Sequence, residues 1–217
     1  EAFITRAMAD QKESELQAAA KSPKNTLSVR FHLDKRADAV NEINATLIEA
    51  GLVTVKASLA HIPLALSYGE GPSDDEVDAV LATLVKDLEA IAGGEAAFDI
   101  PFPGIGAMYN CGNQRDKHVV FLKPKVTPTV KALQVACYGA LEKSVAGTKV
   151  NLDAYSRPAV WEPHLTIAKC VKRDVFSEVV RLVNQWALDG PYDTVEGEYG
   201  DFVSSCRCIA LKMKNYK

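Results

Sequence analysis

His61-Ile62-Pro63-Leu64 and His164-Leu165-Thr166-Ile167 decide how this chain reads. Each opens on a histidine and runs on through apolar residues of a kind that favours β-structure. Side chains alternate along a strand, so His164 and Thr166 share one face while Leu165 and Ile167 share the other. An imidazole and a hydroxyl on one face can bind a phosphate and move a proton. Two such units facing each other form an acid–base pair around a single phosphate. The first copy departs from the second at Pro63, which stands where a hydroxyl residue is expected.

The segments around the two tetrapeptides follow one order. Residues 27–33 read as a strand, and 35–50 as a helix carrying Val40, Ile43, Leu47 and Ile48, with Gly51 as its stop. Residues 59–67 form the His61 strand. Ser73 and Glu76 have capping-box spacing for a helix whose stripe from Val77 to Ile91 reads as core rather than as a partner-binding face. Gly93-Gly94 ends that helix, and 97–101 and 105–109 read as strands. The second half begins with a strand at 118–123. Thr127-Pro128 opens a helix that Gly147 closes, and a loop over 148–163 leads to the His164 strand. Asp174 is placed to cap a helix carrying Val175, Val179, Leu182, Val183 and Trp186, and strands near 192–198 and 206–213 follow.

Strand, helix, His-strand, helix, strand, strand therefore occurs twice, with a histidine in the same slot each time. A duplicated unit with pseudo-twofold symmetry brings the two His strands to a central cleft. Their imidazoles are expected on the order of 5–8 Å apart, bracketing one phosphate. Residues 1–25, polar and Ala-rich, are expected to be a helical or frayed extension. Residues 26–213 are expected to form a single bilobal domain with interleaved lobes, and 214–217 a tail.

A chain of 217 residues, 47% hydrophobic and 24% charged, is ordinary for a globular protein. A net charge of −3 argues against broad, sequence-independent DNA or RNA binding, which needs a basic surface. It leaves room for a small nucleotide or an RNA end in a local pocket. No apolar run approaches the ~20 residues that cross a bilayer, and no secretory signal is legible. The five cysteines, Cys111, Cys137, Cys170, Cys206 and Cys208, are odd in number and contain no C-x-x-C pair. That favours reduced thiols in a cytoplasmic or nuclear compartment. Cys206-x-Cys208 by itself reads as small core residues rather than half a metal site.

With these residues in view, the chain resembles the 2H phosphoesterase superfamily, which carries two H-Φ-[ST]-Φ motifs, Φ being apolar, about one lobe apart. Glu162-Pro163-His164-Leu165-Thr166-Ile167-Ala168-Lys169 is similar to its second motif. Phe102-Pro103-Gly104-Ile105-Gly106 and His118-Val119-Val120-Phe121-Leu122-Lys123-Pro124 resemble the mid-chain of its kinase-anchoring-protein branch. The first motif departs from the pattern at Pro63. The resemblance implies an α+β, bilobal, pseudo-twofold fold, with two antiparallel sheets flanking a central cleft and helices outside. It implies phosphodiester chemistry on 2′,3′-cyclic phosphates, 2′,5′-linked oligonucleotides or RNA ends, with no metal and no cofactor. The expected partners are a nucleotide, an oligonucleotide or an RNA terminus, met by a monomer.

An unperturbed histidine titrates near ~6.5 and can act as base or acid near neutral pH. His61 and His164 can therefore divide the two proton transfers of phosphodiester cleavage, in either assignment. Thr166 Oγ can donate to a non-bridging phosphate oxygen. Pro63 cannot donate, and Ser67, four residues on along the same strand face, is ~13 Å from His61, too far to replace it. Pro63 also points to an edge or a bulge. Trp161, Tyr155 and Arg157 precede the second motif. The aromatics can stack on a base or plug the edge of the core, and Arg157 can contact phosphate. Lys169 alternates onto the face opposite His164, and His32 and His118 lack a partner pattern. The leading reading is a metal-independent phosphodiesterase. The alternative is a catalytically weakened nucleotide- or RNA-end-binding scaffold domain, which Pro63 keeps open.

Overall fold

The computed structural model describes residues 25–33, 37–55, 61–69, 74–94, 98–110, 117–148, 150–189 and 202–214. The expected N-terminal extension, the capping box at Ser73 and the strand at 192–198 lie outside them, as do the side chains of His32, His61, Cys206 and Cys208. Along the chain run β1 (Asn25–Leu33), α1 (Ala37–Glu49), β2 (His61–Gly69), α2 (Asp74–Gly93), β3 (Phe98–Phe102) and β4 (Gly104–Met108). Then come β5 (Lys117–Lys123), α3 (Pro128–Val145), β6 (Asn151–Leu152), a 3-10 turn at Ala154–Ser156, β7 (Leu165–Lys172), α4 (Phe176–Asp189) and β8 (Phe202–Lys214).

Local chemistry accounts for the boundaries. Gly51 and Gly147 follow α1 and α3 with φ of +72° and +81°, a left-handed conformation that costs glycine little. Thr127 caps α3, its Oγ1 accepting from the Val130 N–H at 3.2 Å, with Pro128 at the first helical position. α4 begins at Phe176, two residues beyond Asp174. Each helix buries one stripe: Val40, Ile43 and Leu47 on α1; Val80, Leu84 and Leu88 on α2; Val130, Leu133, Cys137 and Leu141 on α3; Val179 and Val183 on α4.

The strands form two antiparallel sheets. One has five strands in the order β3-β8-β1-β2-β6, the other three in the order β4-β5-β7. Neither belongs to one half of the chain. β8 lies between β3 and β1, and β4 pairs with β5, so each sheet is closed by a strand from the opposite half. The helices cross over too: α1 packs on β7 and α3 on β2. α2 covers β8 and α4 covers β7, leaving the other sheet faces toward the cleft. The α+β, two-sheet, helices-outside architecture stands. The sheets are unequal because β8, β3 and β6 all join the first.

Candidate functional site

The two motif strands come within 8 Å of each other between Cα atoms. They are built alike. On β2, Pro63 pairs with Arg30 and Ala65 with Val29, so Leu64 is an extra residue. On β7, Thr166 pairs with Phe121 and Ala168 with Val120, so Ile167 is an extra residue. Each motif thus carries a bulge at its fourth position, the device that re-aims side chains beside functional sites. His61 stands opposite His32 in the backbone register.

A bulge takes a carbonyl out of the ladder, and a buried carbonyl needs a donor. Asn44 Nδ2 of α1 donates to the Ile167 carbonyl at 3.0 Å. Gln134 Nε2 of α3 donates to the Leu64 carbonyl at 3.2 Å, and to the Ser156 carbonyl at 2.8 Å. Each half of the chain therefore sends a buried amide to the bulge of the other half's motif. Both residues escaped the sequence reading. Their signal was present: Val40, Ile43, Asn44, Leu47 and Val130, Leu133, Gln134, Cys137 each place one amide inside an apolar stripe.

His164 stands just before β7, with its ring on Phe121 at 5.5 Å between centroids. Its Nδ1 lies 3.1 Å from the Glu162 carbonyl, which can only accept. Nδ1 therefore carries the proton, and Nε2 is the nitrogen left to exchange one. Thr166 is partly exposed between buried Leu165 and Ile167, as strict alternation predicts. Phe121 needs room: a Cβ on Gly106 would lie 2.5 Å from its Cε2 and Cζ atoms.

The bulges also correct two expectations. An extra residue reverses the faces beyond it. Ser67 was expected on the His61 side, but it pairs with buried Leu27 and is itself fully buried, its Oγ without a hydrogen-bond partner. Lys169 was expected opposite His164. Ala168 pairs with buried Val120, so Lys169 alternates back to the Thr166 face. The bulge expected near Pro63 is the one at Leu64, and β6 reaches β2 only at Ser67 and Tyr68, so Pro63 interrupts no ladder with it.

Trp161 acts at the seam. Its Nε1 donates to the Pro63 carbonyl at 3.0 Å, tying the loop before the second motif to the first motif. Lys131 covers its ring at 5.7 Å and donates to the Pro158 carbonyl. Tyr155 is 80% exposed. Arg157 is exposed and lines an open concavity with Tyr138, Glu142, Asn151 and Leu152, beside the end of β2 remote from His61. His118 is buried, accepting from the Asn110 N–H at 3.3 Å and packed against Phe176, a structural role.

The sequence profile of the 2′-5′ RNA ligase superfamily matches residues 13–193. The chain belongs to the 2′-5′ RNA ligase superfamily. It is thereby a 2H phosphoesterase, as the motifs imply, and membership supports phosphoesterase-type activity in general. No curated protein matches the sequence. Among solved structures, this superfamily member is similar to Escherichia coli LigT in apo form, at 14% identity and a TM-score of 0.46 over 89% of this chain and 96% of that one. It is also similar to LigT complexed with 3′-AMP, at 15% identity and a TM-score of 0.44 over 90% and 97%. Kluyveromyces marxianus Usb1 with uridine monophosphate matches at 10% identity and a TM-score of 0.47 over 88% and 94%. No helix among the described residues is long and apolar enough to cross a membrane.

Proposed function

We propose that this superfamily member is a metal-independent phosphodiesterase acting on a nucleotide or RNA phosphodiester, a 2′,3′-cyclic phosphate or a 2′,5′ linkage. The observation that carries this reading is the matched pair of bulged motif strands, each held by an amide from the opposite half. Such reciprocal bracing is what two residues need to act on one atom from opposite sides. One histidine takes the proton from the attacking water. The other gives a proton to the departing ribose oxygen, so the pair ends with its protonation states exchanged. With Nδ1 bound to the Glu162 carbonyl, His164 works through Nε2. Thr166 Oγ donates to a non-bridging oxygen as negative charge gathers there. Trp161 ties the loop before the second motif to the first motif through the Pro63 carbonyl.

Pro63 favours a second reading, a domain that binds a nucleotide or RNA end and turns it over poorly. One experiment separates the two. The full chain is incubated with 2′,3′-cyclic AMP and with 2′,5′-oligoadenylate in excess EDTA. Turnover that His164→Ala abolishes supports the phosphodiesterase. Tight binding without turnover supports the second reading, and turnover lost to EDTA overturns the metal-free scheme.

A further inference from the structure

The two motif strands share a build but not their furnishing. On β7, Thr166 brings a hydroxyl, and Lys169, two residues past the bulge, brings a cation to the same face. The matching places on β2 hold Pro63 and Leu66, which bring neither. The residue paired with Pro63 is Arg30, in the place that Phe121 takes opposite Thr166, and Phe121 is the side chain that lies on His164.

Arg30 stands on the β1 face opposite Leu27, Val29 and Phe31, the face that the helices leave to the cleft. It is half-buried, and its Nε and Nη2 both donate to Ser28 Oγ, at 3.3 and 3.2 Å. Among the described residues no carboxylate lies within ion-pair distance of it; the pairs there are Lys143–Asp87 and Arg181–Glu178. Burial holds the guanidinium below its ordinary range. Among the described residues a neutral hydroxyl alone answers this partly desolvated cation, and an anion in the cleft would offset the cost of burying it.

We propose that Arg30 is the phosphate ligand of the first half-site, its guanidinium donating to a non-bridging oxygen in place of the hydroxyl that Pro63 cannot offer. This assignment rests on the phosphodiesterase reading of the same cleft. Thr166 takes one non-bridging oxygen and Arg30 the other, so the lobe without a motif hydroxyl still grips the phosphate.

The test is a cycle on the full chain: wild type, Arg30→Gln, Pro63→Thr, and the two together. Each is assayed for turnover of 2′,3′-cyclic AMP and for binding of adenosine 2′- and 3′-monophosphate by calorimetry, with a thermal melt. Arg30→Gln is expected to lower kcat/KM by about 10–100-fold, the scale of a lost charged hydrogen bond, and to weaken monophosphate binding. Pro63→Thr alone is the reference against which the double variant is read. Added to Arg30→Gln, it restores about tenfold, because the new hydroxyl reaches the oxygen that the guanidinium left. A side chain that merely braces the sheet gives no such recovery. Unchanged turnover in Arg30→Gln, or no recovery in the double variant with intact melts, overturns the proposal and leaves the phosphodiesterase standing. Wild type that binds the monophosphates through Arg30 but turns nothing over does the reverse. Wild type that neither binds nor turns over overturns both. If Arg30→Gln fails to fold, the same cycle is run with Arg30→Lys, which keeps the stem and charge but loses the two-pronged fork.

Discussion

At the scale of single residues, the second motif sets the terms. Thr166→Val keeps shape and strand preference but removes the hydroxyl. It should lower kcat by roughly 10²-fold, the usual cost of one transition-state donor, with the melting temperature unchanged. Unchanged kcat in a stable protein would leave the chemistry to the histidines alone. Gly106 offers a second check. Its missing side chain is the space that the Phe121 ring fills, and that ring carries His164. Gly106→Ala should force the ring aside, costing about 1–3 kcal/mol of stability and lowering turnover as the imidazole loses its support. Urea unfolding read beside kcat would separate the two effects. His164 and Thr166 were legible because alternation reveals a shared face over three residues. Lys169 and Ser67 were not, because a one-residue bulge leaves no mark in composition yet reverses the faces that follow it.

At the scale of elements, strands and helices were legible wherever periodicity and punctuation agreed. Gly51, Thr127-Pro128 and Gly147 mark the ends of α1 and α3 where turn and capping chemistry place them. What periodicity does not carry is which helix lies on which sheet. The amides of Asn44 and Gln134 hold that information, and a polar residue within an apolar stripe was its only trace. Asn44→Ala should leave the Ile167 carbonyl buried and unpaired, at about 1–3 kcal/mol. Because Ile167 adjoins Thr166, kcat should fall as well, while a helix-surface control such as Glu42→Ala should move neither. Gln134→Ala should act likewise on the first motif through Leu64. Equal losses of stability with untouched kcat would make both amides purely architectural.

For the molecule as a whole, two histidines in opposite protonation states predict a bell-shaped dependence of kcat/KM on pH. A profile flat from pH 5 to 8, with binding intact, would rule out paired acid–base chemistry. Strand, helix, motif strand and helix were readable from the sequence in both halves, while the strand expected at 192–198 lies outside the described residues. That the halves trade strands and helices was not, since pairing between distant segments leaves no local pattern. The crossed helices carry a consequence for how this protein comes to exist at all. Neither half contains what its own motif needs: the first lacks Gln134 and β8, the second lacks Asn44 and β4. A chain cleaved between Met108 and Lys117 should yield two inert, largely unfolded peptides. Mixed together, they should regain activity with second-order kinetics, by fragment complementation. A half that folds and melts cooperatively by itself would show the mutual dependence to be weaker than the hydrogen bonds imply.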